Sequence, residues 1–146
     1  MESEHLAISG RVLLFDQNGH ILVLKRSDTS RSNPGKWELP GGKPHENESF
    51  EASLRREVLE ETGFEIDIHQ SAGTADQLVS GYHVVHVVLI ASIRSGGLAI
   101  SDEHSEFRWV QIPEISGLDR ADWFDLYYQL YLRGPVQEQD SLKNMN

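Results

Sequence analysis

The 146-residue sequence has no cysteine. That excludes disulfides, zinc–thiolate centres and thiol nucleophiles, and it is compatible with a reducing cytoplasm. Basic residues are also scarce. Thirteen Lys and Arg stand against 23 Asp and Glu, a formal net charge of −10. A generic nucleic-acid binder needs a basic surface, so no nucleic-acid partner is expected. No apolar run approaches the ~18 residues of a membrane-spanning helix, so no membrane partner is expected. The opening MESEHLAISG lacks the apolar segment of a signal peptide. A cytoplasmic location is the expectation. Internal repeats, linkers and low-complexity stretches are missing, and the length is that of one ordinary domain. A small anionic substrate would be repelled by so acidic a chain unless a cation screens it.

What is present is a mixture of strand and helix signals. Residues 6–15, LAISGRVLLF, read as a largely apolar strand, DQNG at 16–19 as a turn, and HILVLKR at 20–26 as the returning strand. The polar stretch 27–36 contains Pro34-Gly35 and reads as a loop. WELP at 37–40 is a short extended piece before Gly41-Gly42. Residues 49–62 are helical by pattern, with Ser49 as N-cap and Gly63 just past the end. Residues 64–69 alternate like a strand, 81–93 read as a long central strand, and 106–112 as another. Residues 121–132 read as an amphipathic helix whose Trp123, Tyr127, Leu130 and Tyr131 have core spacing. His83 and His86 lie three apart on a strand and face opposite sides, which makes them structural rather than paired ligands. The expectation is an α+β fold over residues 1–134 and a polar, flexible tail over 135–146.

The helix at 49–62 is unusual in its charge. With Glu57 at zero on a helical wheel, Glu60 falls at about −60° and Glu61 at about +40°. Three carboxylates share one arc. Phe50, Leu54 and Val58 lie beside it, with Ala52 and Leu59 nearly opposite, so both flanks are expected to pack. Like charges at these spacings repel, and the repulsion grows where water is scarce. Arg56 can bond one carboxylate, and a hard divalent cation can balance the rest. Mg²⁺ suits carboxylate oxygens and binds together with phosphates. Glu48 can join from the preceding loop, and the bare Gly41-Gly42 backbone can approach the metal closely. Taken alone, REVLEE is more often the pattern of an ordinary solvated helix face, because such strings are common on surface helices.

The wider spacing separates these readings. Gly42, Glu48, Arg56, Glu57, Val58, Glu60, Glu61, Gly63 and Phe64 fill every fixed position of a pattern that resembles the Nudix box. Phe64 replaces the more usual Ile, Leu or Val. GKWELPGGK leads into the box as it does in MutT-like members. The resemblance implies a Nudix α/β/α sandwich, with a mixed sheet flanked by helices. It implies hydrolysis of a nucleoside diphosphate linked to another group, dependent on Mg²⁺ or Mn²⁺. By position it makes Glu57, Glu60 and Glu61 metal ligands and catalytic residues, with the Gly41 or Gly42 carbonyl completing the shell. Arg56 orients the acids, and Glu48 is an inner or outer metal partner. The general base is either a box glutamate or a loop residue among Glu103, His104 and Glu106, with Glu103 the first choice.

In MutT-like members a basic residue at the position of Arg26 touches substrate phosphate or base; Trp37, which can stack on a base, and Lys43 are the further substrate-binding candidates. Arg26 at a strand end reads equally as a snorkelling surface residue, and Trp37 as core. Residues 65–112 contain no proline, unlike ADP-ribose members. Tyr82, eighteen residues past Phe64, resembles a feature of dinucleoside polyphosphate members. Coenzyme A members share part of RSDTSRSNPGKWELPGG, but Leu24 and Leu39 replace their usual Thr and Phe. The leading expectation is a MutT-like hydrolase of (d)NTPs or oxidised (d)NTPs, with a nucleotide as its small-molecule partner. Many members pair, so a homodimer fits the resemblance. A non-catalytic nucleotide sensor is the alternative class. Such modules usually lose a box glutamate, and this chain keeps them all.

Overall fold

In the computed structural model, residues 5–79 and 81–133 are described. The expected tail over 135–146 lies outside them. The chain runs β1 (His5–Phe15), β2 (Ile21–Arg26), β3 (Trp37–Glu38), β4 (Gly41–Gly42), α1 (Phe50–Thr62), β5 (Phe64–Val79), β6 (Tyr82–Gly96) and β7 (His104–Val110). A 3₁₀ turn at Ile112–Gly117 leads to α2 (Asp122–Tyr127). The sheet is mixed, in the order β3-β2-β1-β6-β5, with β4 added to β1 and β7 to β2. β1 and β6 pair in parallel from His5↔Tyr82 to Phe15↔Ser92. The remaining pairs are antiparallel.

Both faces of the sheet are covered. That is why VLLF and ILVL are apolar runs rather than alternating ones. Val12, Leu14, Leu22 and Leu24 pack under α1 with Leu54, Val58 and Phe64. Leu13, Ile21 and Val23 turn the other way and pack with Trp123, Phe124 and Tyr127 of α2. The result is the α/β/α sandwich and α+β class expected from the sequence. No helix among the described residues is long and apolar enough to cross a membrane.

The caps of α1 sit where the sequence places them. The Ser49 hydroxyl accepts from the Ala52 amide at 3.1 Å, and Gly63 adopts φ 82° with its amide on the Leu59 carbonyl. The packing of α1 differs from expectation. Ala52 and Leu59 are exposed, and the helix buries one side only, through Ser53, Leu54, Val58, Glu61 and Thr62. A single sheet lies beneath it, so the far flank has nothing to meet.

Two elements differ in length. β5 continues to Val79 instead of ending near His69. Its register shifts near Glu65, Ser71 and Thr74 break the two-residue alternation, while pairing to the long β6 imposes the strand. α2 stops at Tyr127 and passes into a wider π-type turn over Tyr128–Leu132. That turn changes the helical phase. Trp123 and Tyr127 are core as expected, but Leu130 and Tyr131 are exposed.

Candidate active site

Gly41 and Gly42 form β4, hydrogen-bonded to Arg11 and Gly10 of β1 directly in front of α1. Gly41 has φ 142°, and a Cβ there would lie 1.9 Å from the Gly10 carbonyl oxygen. A Cβ on Gly42 would lie 2.6 Å from the carboxyl carbon of Glu57. The two glycines therefore let the box acids close onto the sheet. The Gly41 amide donates to Glu61 Oε2 at 3.0 Å.

Arg56 organises the acids from one side. Its Nε and Nη2 fork onto Glu48 at 2.7 and 3.0 Å. Its Nη1 reaches Glu57 at 3.0 Å and Glu60 at 3.2 Å. The Arg56 fork and the His45 amide hold the Glu48 carboxyl down at about 2. Both Glu48 oxygens are thus engaged with Arg56. Glu60 is mostly exposed.

Glu61 is 2% exposed. Burial pushes its carboxyl up to about 8, against the pull of Arg11 and the Gly41 amide, and the nearby Glu38 and Glu57 push the same way as burial. Burial also raises Glu57, opposed by Arg56 and assisted by Glu60 and Glu103. Glu103, the last residue of the loop before β7, and His104, the first residue of β7, come to this point. One ligand atom each from Glu61, Glu103 and His104 lie within 4.8 Å of one another. Glu106, the third candidate, lies within β7 rather than in the loop and points to Lys25 and Arg108. Clustered hard oxygen donors that repel one another, one of them buried and reluctant to ionise, fit a divalent cation.

On the α2 side of the sheet lies a cavity of ≈ 300 Å³. Arg11, Arg26 and Lys43 supply its charge, and Tyr82, Val84 and His86 form a row along β6. Arg26 is not a free surface residue. It bonds Glu38 Oε2 at 2.9 Å, the Ser32 carbonyl at 2.8 Å and Ser30 Oγ at 2.6 Å. Lys43 lines the cavity directly. Trp37 does not. It is buried in the core with the Arg108 guanidinium 4.9 Å over its ring, so the core reading describes it. His83 bonds Asp76 at the surface, whereas His86 is buried and stacked 4.5 Å from Trp123. Burial first, then Arg11, lowers His86 to about 3, so it is neutral near pH 7.

Arg11, Glu38 and Trp123 belong to this site although none is a fixed position of the box and the sequence pattern assigns none of them a role there. A signal existed for two of them. Arg11 is the one charge inside an apolar strand, and Glu38 sits in a two-residue strand between Trp37 and Leu39. Buried charges need partners, and these two lie 3.5 Å apart.

The NUDIX domain family matches residues 6–131. A MutT-like protein of Streptomyces ambofaciens is 30% identical over 100 residues, 68% of this chain, and the chain spans 60% of that relative's length. The nucleoside triphosphatase NudI of Salmonella agona is 28% identical over 117 residues, 73% of this chain and 83% of the relative. Among solved structures, the MutT protein from Methanosarcina mazei Go1 superposes with a TM-score of 0.78 at 32% identity, covering 88% of this chain and 95% of that one.

Proposed function

Because the chain belongs to the NUDIX family and is a Nudix hydrolase, we propose that it hydrolyses (d)NTPs or oxidised (d)NTPs to NMP and pyrophosphate. The observation that carries this is the juxtaposition of a cationic cavity, lined by Arg11, Arg26 and Lys43, with the Glu57–Glu61–Glu103 carboxylates. The similarity to a MutT-like protein and to a nucleoside triphosphatase supports the same substrate class. A dinucleoside polyphosphate is the second reading, favoured by Tyr82, whose half-exposed ring lines the cavity.

In this scheme Glu57, Glu60 and Glu61 would hold Mg²⁺ or Mn²⁺, and the Gly41 or Gly42 carbonyl would complete the set. When bound, the cation supplies positive charge beside the phosphate oxygens and a more acidic water. Arg56 keeps Glu57 and Glu60 aimed, and Glu48, with both oxygens on Arg56, acts as an outer partner. Lys43 and the cavity arginines place the polyphosphate. Glu103 accepts the proton as the water oxygen bonds to phosphorus and the bridging P–O bond breaks. The proton then returns to the departing oxygen of the broken anhydride, on NMP or on pyrophosphate according to which phosphorus the water has attacked. Enclosure matters because charge–charge effects strengthen where water is excluded.

The test is incubation with Mg²⁺ or Mn²⁺ and a panel of (d)NTPs, oxidised dGTP, a dinucleoside tetraphosphate, ADP-ribose, coenzyme A and nucleotide sugars. NMP and pyrophosphate are expected from triphosphates, with turnover lost in Glu60→Gln and Glu61→Gln. Cleavage of another compound alone would replace the substrate assignment. Folded protein that binds nucleotide but cleaves nothing would overturn the reading in favour of a sensor.

A further inference from the structure

Glu38 is a buried charge that the hydrolytic scheme leaves without a task. It is 2% exposed. Its Oε2 accepts from Arg26 Nη1 and from His104 Nε2, each at 2.9 Å. Its Oε1 accepts from Trp123 Nε1 at 3.4 Å and lies 3.5 Å from Arg11 Nη1. The four partners come from β1, β2, β7 and α2. Three of them, Arg11, Arg26 and Trp123, line the cavity. The fourth, His104, stands against Glu61 and Glu103.

The backbone is shaped around this junction. The β2–β7 register shifts between Lys25 and Arg26, which brings Arg26 opposite His104. Bulges of this kind re-aim side chains beside active sites. The next amide, on Ser27, donates to the Glu103 carbonyl at 3.1 Å. A packed apolar side chain would serve stability as well as a buried ionic junction does, because desolvating the charges cancels much of their attraction. What the carboxylate adds is direction. Its two oxygens draw on all four arms at once.

We propose that Glu38 is a positioning residue that fixes the nucleotide cavity relative to the Glu103 loop, so that seating the base and sugar aligns the phosphoanhydride for cleavage. This rests on the hydrolase reading above. Displacing either arm changes a different kinetic quantity, and displacing Glu38 changes both.

The experiment compares wild type, His104→Asn, Trp123→Phe, Glu38→Gln and the Glu38→Gln/His104→Asn double variant. Substrates are a nucleoside triphosphate and inorganic triphosphate, which lacks base and sugar. His104→Asn is expected to lower kcat on both substrates by about 10- to 100-fold, the scale of a misplacement near 1 Å. Trp123→Phe is expected to raise KM for the nucleotide only. Glu38→Gln is expected to do both and to erase the preference for nucleotide over inorganic triphosphate. The double variant should be no worse than the poorer single, since the two residues act as one unit. Glu38→Gln that loses activity in proportion to folded protein, with KM and preference unchanged, would overturn the proposal, as would additive effects. If Glu38→Gln does not fold, Glu38→Asp keeps the charge but withdraws it, and an intact preference there is equally fatal. A wild type that cleaves no phosphoanhydride sinks the hydrolase reading and this inference with it. An active wild type with an unaffected Glu38→Gln sinks this inference alone.

Discussion

Replacing Glu61 by Gln should make the metal-free protein more stable at alkaline pH while abolishing turnover. The side chain is 2% exposed, and its carboxyl is raised from the ordinary 4.5 to about 8, chiefly by burial. The native state therefore keeps a proton that the unfolded chain releases near pH 4.5. Stability falls as pH rises between those two values and levels off above the higher one. The displacement from 4.5 to about 8 corresponds to roughly 3–5 kcal/mol, with the favourable pull of Arg11 and the Gly41 amide already included. Gln keeps an acceptor for the Gly41 amide but cannot ionise. The stability gap between Gln variant and wild type should thus open by about 3–5 kcal/mol in favour of Gln between pH 4.5 and 8.5. Urea unfolding followed by tryptophan fluorescence, in EDTA at a series of pH values, measures this directly. Adding Mn²⁺ at a hundred times its dissociation constant should narrow the gap by about 2.7 kcal/mol, because the cation stabilises the wild type, which keeps the Glu61 carboxylate, more than the Gln variant. Parallel pH profiles for the two proteins would refute the reasoning, since Glu61 would then ionise in the native state without penalty.

Gly42→Ala and Gly41→Ala should fail differently. The first sets a methyl against the flexible Glu57 carboxylate, so kcat should drop about tenfold or more with thermal stability within about 1 kcal/mol of wild type. The second meets backbone at φ 142° and should destabilise by about 3 kcal/mol or more, seen as a fall in Tm. Arg56→Lys keeps the charge but cannot fork onto Glu48 while holding Glu57 and Glu60, so kcat should fall about 10- to 100-fold. Glu48, released from the fork, should titrate nearer the ordinary carboxylate range, which NMR can follow. Ser49→Ala removes the N-cap of α1 and should cost about 1 kcal/mol in denaturant titration, with kcat/KM unchanged.

Much of this protein is local chemistry, and local chemistry is legible. Ser49 and Gly63 bound α1 because a hydroxyl acceptor and a left-handed residue are needed at those two positions. Glu57, Glu60 and Glu61 share an arc because helical geometry leaves no choice, and a cluster of like charges beside a Gly-Gly strand asks for a cation. The apolar runs of β1 and β2 announce a sheet covered on both faces. The length of β5 was hidden because its bulges break the alternation, and only its partner β6 defines it. The wheel of α1 could not say which flank would be covered, since that depends on a sheet assembled from seven strands along the chain. Trp37 and Trp123 are both large aromatics beside polar sequence. Both are buried in one core cluster, and only the packing places Trp37 under Arg108 and lets Trp123, stacked on His86, also wall the cavity. Arg11, Glu38 and His104 are separated by 27 and 66 positions in the chain. Their junction exists because β1, β3 and β7 are brought together in space, and a buried charge finds its partners through contacts that sequence order does not record.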